Sequence, residues 1–235
     1  MAGSVANLMA VRERVHAACQ RAGRAPQTVE LIAVSKTLPT EVIREVIEAG
    51  QTHFGESRLQ EALPKIEALP GSLHWHFIGR VQRNKVRKLV AVFEVIHAMD
   101  SLRLATYADE IAAELGLFPK LMLQVNVAGE ASKGGFEPAQ LRAEMEALLR
   151  LERLEILGLM TIPPAAPEAE LARQWFVRLR DLRDSLEREF AVCLPALSMG
   201  MSGDYEVAIE EGATHVRVGS AIFGQRAYQA DGECR

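Results

Sequence analysis

Eight short apolar runs recur along the chain, each closed by a glycine, a proline or a polar residue and each separated from the next by a longer amphipathic segment. They are Leu31–Ser35, His53–Gly55, His74–Ile78, Val92–His97, Leu121–Val127, Ile156–Met160, Ala196–Met199 and His215–Val218. A buried run of this length bounded by turn residues reads as a strand, and the longer periodicity between runs reads as helix. Such repetition specifies a mainly parallel sheet covered by helices.

Helical patterns occupy Glu41–Ala49 after Pro39 and Thr40, Arg58–Ala68, Gln82–Val90, Leu102–Leu115 behind an Asp100-Ser101 cap, Pro138–Leu149, Glu168–Phe190, and Asp204–Glu211, which Gly212 ends. Ser4–Ala22, closed by Gly23, adds an amphipathic helix before the first strand. Eight strands and their crossovers in 235 residues, with no linker or low-complexity break, favour an α/β fold of one closed (β/α)8 barrel, a TIM barrel, over an open doubly wound sheet. The expected organisation is a single domain over 1–235, with the barrel proper at about 30–228. Pro163, Pro164 and Pro167 stiffen the loop after the sixth strand and mark no boundary.

Composition narrows the function classes. With 49% hydrophobic and 25% charged residues the chain is an ordinary globular protein, neither disordered nor fibrous. The 27 Lys and Arg against 31 Asp and Glu leave a net charge of -4, so no overall field draws it to nucleic acid or an anionic membrane. Cys19, Cys193 and Cys234 form no CxxC pair, which suggests neither a disulfide framework nor a zinc site and fits a reducing cytoplasm. Arg12, Glu13, Arg14 and His16 interrupt the first apolar pattern, and no stretch of about 18 uncharged apolar residues occurs, so neither a signal peptide nor a membrane span is expected.

In a (β/α)8 barrel the chemistry sits where the strands end. Those ends carry Lys36, Glu56 with Ser57, Arg80, Asp100, Asn126, Met160 with Thr161, the run Ser198–Gly203, and Arg217 with Gly219 and Ser220. Lys36 shares side-chain parity with Ile32 and Val34 and is expected to face the barrel mouth. Desolvation there lowers an amine's pKa and leaves a neutral fraction, the condition for attack on an aldehyde; the alternative is a lysine that reaches water or pairs with Glu56. The segments after strands seven and eight, MGMSGD and VRVGS, occupy the position where barrels bind phosphate through backbone N–H groups and a helix N-terminus. Gly200, Gly203 and Gly219 allow close backbone approach, and Ser202 and Ser220 add hydroxyls; tight turns alone would use the same residues. Arg217 alternates with Val216 and Val218 and faces inward, where a guanidinium needs acceptors. Barrel closure sets it near Lys36.

Other signals are weaker. His74 and His76 lie on one strand face, but no third ligand at recognisable spacing accompanies them, so no metal site is expected. The run Gly129–Gly135 is similar to a phosphate loop yet lacks the GK[ST] ending. Arg80, Arg83, Lys85, Arg87 and Lys88 read as a solvated helix face.

The runs LIAVSKTLP, FGESRLQE, WHFIGRVQRNK, HAMDSLRLA, LQVNVAGEASKGGF, GLMTIP and LSMGMSGDYEVAIEEGATHVRVGSAIFGQR, in this order from about Leu31 to Arg226, closely resemble the pyridoxal phosphate homeostasis protein family. The resemblance implies a barrel like the N-terminal domain of alanine racemase that carries pyridoxal 5'-phosphate (PLP) as an internal aldimine on Lys36. It places the phosphate on the loops Ser198–Ser202, which include Gly200 and Met201, and Gly219-Ser220. It sets the pyridine nitrogen against Arg217, and Ser57, Asn126 and Met160 complete the implied pocket. Ser57 stands where the family usually has Asn, Arg80 where it has His, and Leu38 where a second lysine is frequent.

The implied function is intracellular PLP homeostasis by storage, buffering or delivery of the cofactor, without catalysis, in a cytoplasmic monomer whose partners are PLP and PLP-dependent apo-enzymes. An arginine facing the pyridine nitrogen weakens the ring as an electron sink. The competing readings are a small PLP-dependent amino-acid racemase, with Tyr205 or His76 as a second acid/base, and a Schiff-base aldolase acting on a phosphorylated sugar.

Overall fold

A computed structural model of the chain describes residues 3–130 and 133–224. Helix α1 (Ser4–Arg21) buries Leu8, Val11, Val15 and Ala18, a stripe at helical spacing. There follow β1 (Glu30–Val34), α2 (Thr40–Glu48), β2 (His53–Glu56), α3 (Leu59–Ala68), β3 (His74–Phe77), α4 (Val86–Val92), β4 (Val95–Met99), α5 (Leu102–Leu115), β5 (Lys120–Gln124), α6 (Pro138–Leu149), β6 (Glu155–Met160), α7 (Arg173–Phe190), β7 (Ala196–Met201), α8 (Tyr205–Glu210), β8 (His215–Val218) and α9 (Ser220–Phe223). The strands pair in chain order and close, all in parallel, with β1 bonded to both β2 and β8. This is the closed eight-stranded barrel expected from the alternation.

Several boundaries differ from expectation. The fourth strand starts at Val95 rather than Val92, because Val90 and Val92 belong to α4 and the apolar residues of a helix end and of a strand look alike over so few positions. The fifth strand ends at Gln124, since the chain beyond turns to pair Asn126 N–H with Phe136 O. The helices expected over Gln82–Val90 and Glu168–Phe190 each open with a 3-10 turn, at Arg83–Lys85 and Ala169–Ala172. α9 is too short to leave a periodic signal. The expected barrel end at 228, the last two residues of the resembling run, Gln225 and Arg226, and Cys234 lie outside the described residues.

Alternation along each strand divides the interior in two. Ala33, Phe54, Trp75, Phe77 and Ile96 face the helices and form the main apolar core. Ile32 and Val34, alternating with Ala33, turn the other way and crowd Gly55 together with Ile78. α1 and the turn after it tie the ends of this ring: Arg12 donates to Ala49 O and Gly50 O at the end of α2, and Arg24, just beyond α1, to Ile209 O in the last turn of α8 and Ala213 O after it. These guanidiniums satisfy carbonyls that helix termini leave without intrahelical partners.

At Gly79, after β3, a Cβ would stand 2.1 Å from Ser57 O, so the loops after β2 and β3 can touch only through glycine. Gly79→Ala should destabilise the protein by about 1–3 kcal/mol through forced backbone shifts, whereas Gly71→Ala, which meets nothing within 4 Å, should not. Paired denaturant melts check this; equal midpoints for the two variants would refute the contact.

Candidate functional site

Lys36 stands two residues beyond β1, half-buried. Ser35 N–H still bonds Gly55 O, which extends the ladder, and Leu38 N–H then closes a turn on Ser35 O. Thr37 takes a φ of 64°, a left-handed conformation that a β-branched residue rarely adopts. Its amide donates to Glu61 Oε2 at 3.1 Å, so α3 helps hold the strained turn that presents Lys36.

A buried ion pair underlies that turn. Lys65 Nζ donates to Glu56 Oε1 at 2.7 Å and to Ser35 O at 2.9 Å, and Ser35 Oγ donates to the same Glu56 oxygen at 2.7 Å. The sequence suggested Glu56 as a partner for Lys36; the structure shows it held by Lys65. Lys65 was missed because it reads as one more polar position in an amphipathic helix.

On the other flank of β1, Ile32 pairs with Arg217 across the barrel seam, so the closure that the sequence implied does bring strand eight beside the Lys36 strand. Arg217 is buried and donates to Ser198 Oγ at 2.5 Å and Thr161 O at 2.8 Å. Among the described residues no carboxylate makes an ion pair with it. Burial pulls its pKa down to about 10, against the opposing charge of Asp204, and it stays cationic at neutral pH.

Two loops meet beside Arg217. Ser202 Oγ accepts N–H groups from Gly219 at 3.1 Å and Ala221 at 3.3 Å, so its oxygen sits at the N-terminus of α9. Met201 N–H donates to Asp204 Oδ1 at 2.7 Å. Ser220 is exposed, Gly219 and Met160 are buried, and Ser57 is half-buried. Gly200 differs from expectation: the space a side chain would need is filled by Ala208 Cβ at 2.6 Å and Tyr205 Cα at 2.9 Å, so its first demand is packing of α8. Asn126 is engaged locally, its Nδ2 donating to Glu130 O at 2.9 Å and its Oδ1 accepting Glu130 N–H at 3.2 Å.

Beneath Arg217 runs a column of polar side chains that no sequence motif announced. Ser198 Oγ lies 2.8 Å from His97 Nδ1, across the barrel from β7 to β4; His97 Nε2 lies 3.0 Å from His76 Nδ1; His76 Nε2 lies 3.1 Å from His53 Nδ1. Burial pushes His76 down to about 3 and lowers His97 and His215, so these rings are neutral at neutral pH. His74 does not join His76 but contacts Glu94 Oε2 at 2.5 Å. Tyr205 is buried at the first position of α8, with the Arg14 guanidinium 5.3 Å from its ring centroid.

The closed barrel and the lysine, arginine and serine residues at its strand ends define the class. The alanine racemase N-terminal domain family matches residues 6–227, and alanine racemase of Clostridium difficile 630 shares the fold at a TM-score of 0.73 and 16% identity, with 96% of this chain and 56% of that one covered. The chain belongs, more narrowly, to the pyridoxal phosphate homeostasis protein family. It is 49% identical over 222 residues to the Aquifex aeolicus member, covering 94% of this chain and 97% of that one. It is 42% identical to the Escherichia coli K12 member, covering 94% and 96%. PipY of Synechococcus elongatus PCC7942, solved with PLP bound, is similar at 43% identity and a TM-score of 0.79, with 91% of this chain and all 100% of that one covered.

The Glu56–Lys65 pair generates a test. Lys65→Met leaves a buried carboxylate without its cation and should cost about 3–5 kcal/mol, while the double variant Glu56→Leu/Lys65→Met should cost clearly less than the two single changes together. Additive losses in urea melts would show that the two groups do not interact.

Proposed function

We propose that this protein binds PLP at the barrel mouth and serves PLP homeostasis in the cytoplasm, holding the cofactor and delivering it to PLP-dependent apo-enzymes without turning over a substrate itself. One observation carries the reading: Arg217 stands on β8 beside β1, whose following turn carries Lys36, and next to a helix N-terminus whose amides converge on a serine hydroxyl. This donor set suits a phosphorylated pyridine aldehyde, with an amine for the aldehyde, N–H groups for the anion and a guanidinium for a ring nitrogen lone pair. Membership of the homeostasis family and the PLP bound in PipY support it.

Lys36 supplies the amine, which its turn holds at the mouth. Ser198, Gly200, Met201, Ser202, Gly219 and Ser220 belong to the two loops assigned to the phosphate end. Ser57, Asn126 and Met160 are assigned to the walls. Bound PLP supplies an electrophilic aldehyde and an electron-withdrawing ring. Arg217 is assigned to the ring nitrogen, where its positive charge would disfavour the protonated ring that broad amino-acid chemistry uses. Racemisation also needs a second acid/base on the far face of the substrate. The two groups considered for that role have other partners, Tyr205 at the start of α8 beside Arg14 and His76 within the histidine column.

Purified protein treated with borohydride in the presence of PLP should carry the label on Lys36, and Lys36→Ala should lose the visible absorbance of the bound cofactor while keeping its melting behaviour. Label on Lys133 or Lys85 would overturn the site. Incubation with L- and D-amino acids should give no turnover, and rapid stereospecific turnover would establish the racemase reading in its place.

A further inference from the structure

The foot of the barrel, at the opposite end of the strands from Lys36, gathers side chains that the cofactor reading does not use. Glu30 opens β1, His53 opens β2 and His76 lies inside β3. Parallel register brings them together: His53 pairs with His74, and Gly55 with His76. Glu30 Oε1 lies 3.2 Å from His53 Nδ1 and 3.2 Å from His76 Nε2, and the two nitrogens lie 3.1 Å apart. One carboxylate oxygen and two imidazole nitrogens therefore form a nearly equilateral triangle.

Hydrogen bonding accounts for that triangle only in part, since one ring proton can serve one of its edges well. Glu30 Oε1 is buried and makes no well-aligned hydrogen bond, its polar neighbours being His53 Nδ1 and His76 Nε2 at 3.2 Å. A buried anionic oxygen with only poorly aligned donors is costly. A cation removes the difficulty, because all three atoms can then direct lone pairs to one point. Tetrahedral zinc, with bonds of about 2.0–2.1 Å, holds its ligand atoms about 3.3 Å apart, close to the spacings here. His215 Nε2, 3.6 Å from the same Glu30 oxygen, borders the fourth position.

The surroundings are those of a ligand set. Metal-bound histidines donate their other ring N–H to a fixed acceptor. His76 Nδ1 has such a neighbour in His97 Nε2 at 3.0 Å, and His97 Nδ1 in turn has Ser198 Oγ at 2.8 Å. His53 is stacked on His74, ring centroids 4.4 Å apart, which fixes its plane. Entry is open as well, since Glu30 and His53 line a cleft of about 450 Å³ that Arg12, His16, Gln27 and Thr52 also border.

We propose that Glu30, His53 and His76 form a divalent transition-metal site of the zinc class at the foot of the barrel, separate from the cofactor mouth. Occupancy leaves His76 Nε2 without a proton, so His76 donates from Nδ1 to His97 and His97 donates from Nδ1 to Ser198. The ion thereby fixes the direction of the hydrogen bonds along the whole column.

The test uses the full chain, stripped with chelator, and Zn²⁺ or Co²⁺ alone as probe. One ion per chain should bind, and Co²⁺ should show the visible bands of a four-coordinate nitrogen and oxygen site without a thiolate charge-transfer band. Glu30→Gln and His53→Ala, both at partly exposed positions and checked for folding by circular dichroism, should each weaken zinc binding by at least about tenfold, whereas His16→Ala should not. Zinc should also convert His76 and His97 to their Nδ1–H tautomers in nitrogen-15 NMR. Substoichiometric binding, unchanged affinity in Glu30→Gln and His53→Ala, or an Nε2–H proton retained on His76 in the presence of zinc would each overturn the site.

Discussion

A guanidinium buried inside a β-barrel must find acceptors there, and the interior is arranged around that demand. Arg217 is met by Ser198 Oγ and Thr161 O rather than by a carboxylate. Because Ser198 Oγ has only two lone-pair directions and one proton, its remaining contact is constrained too, and it falls on His97. From there the requirement passes strand by strand to His76 and His53. Barrels of this type are usually filled by layers of branched apolar side chains; here Ile32 and Val34 share the space with imidazoles. A buried polar chain of this kind is favourable only when every member is satisfied, which also makes it specify one arrangement.

The same constraint separates the two ends of the barrel. At the C-terminal mouth stand the lysine amine and the helix N-terminus that suit an anionic aldehyde. At the foot stands a carboxylate between imidazoles, which suits a cation. Arg217 and the column join them, so a charge placed at either end acts on a continuous set of hydrogen bonds with little water to screen it.

The helical layer holds this interior closed through charge as well as apolar packing. Arg12 of α1 and Arg24 just after it satisfy carbonyls at the ends of α2 and α8, while Arg21 pairs with Glu206 and Glu210 of α8. The exposed pairs contribute little each. The buried Glu56–Lys65 pair differs, because it fixes Ser35, and through Ser35 the turn carrying Lys36.

Much of this was readable from sequence, because strands and helices announce themselves through periods of two and 3.6 residues. Eight runs implied a closed barrel, and parity set Arg217 inward on the strand that closure brings beside the Lys36 strand. What parity cannot carry is distance between strands. Glu30, His53 and His76 are separated along the chain by crossovers, so no ligand spacing links them, and only the parallel pairing of β1 with β2 and of β2 with β3 brings them within 3.2 Å of one another. Lys65 was hidden for a related reason: an amphipathic pattern records which residues are polar, but not that a lysine reaches the core, where Glu56, a residue of β2, meets it. The sequence by itself determined the order of elements and the chemistry available at each strand end; the tertiary structure decided which of those groups meet, because burial and the pairing of charges belong to neighbours in space.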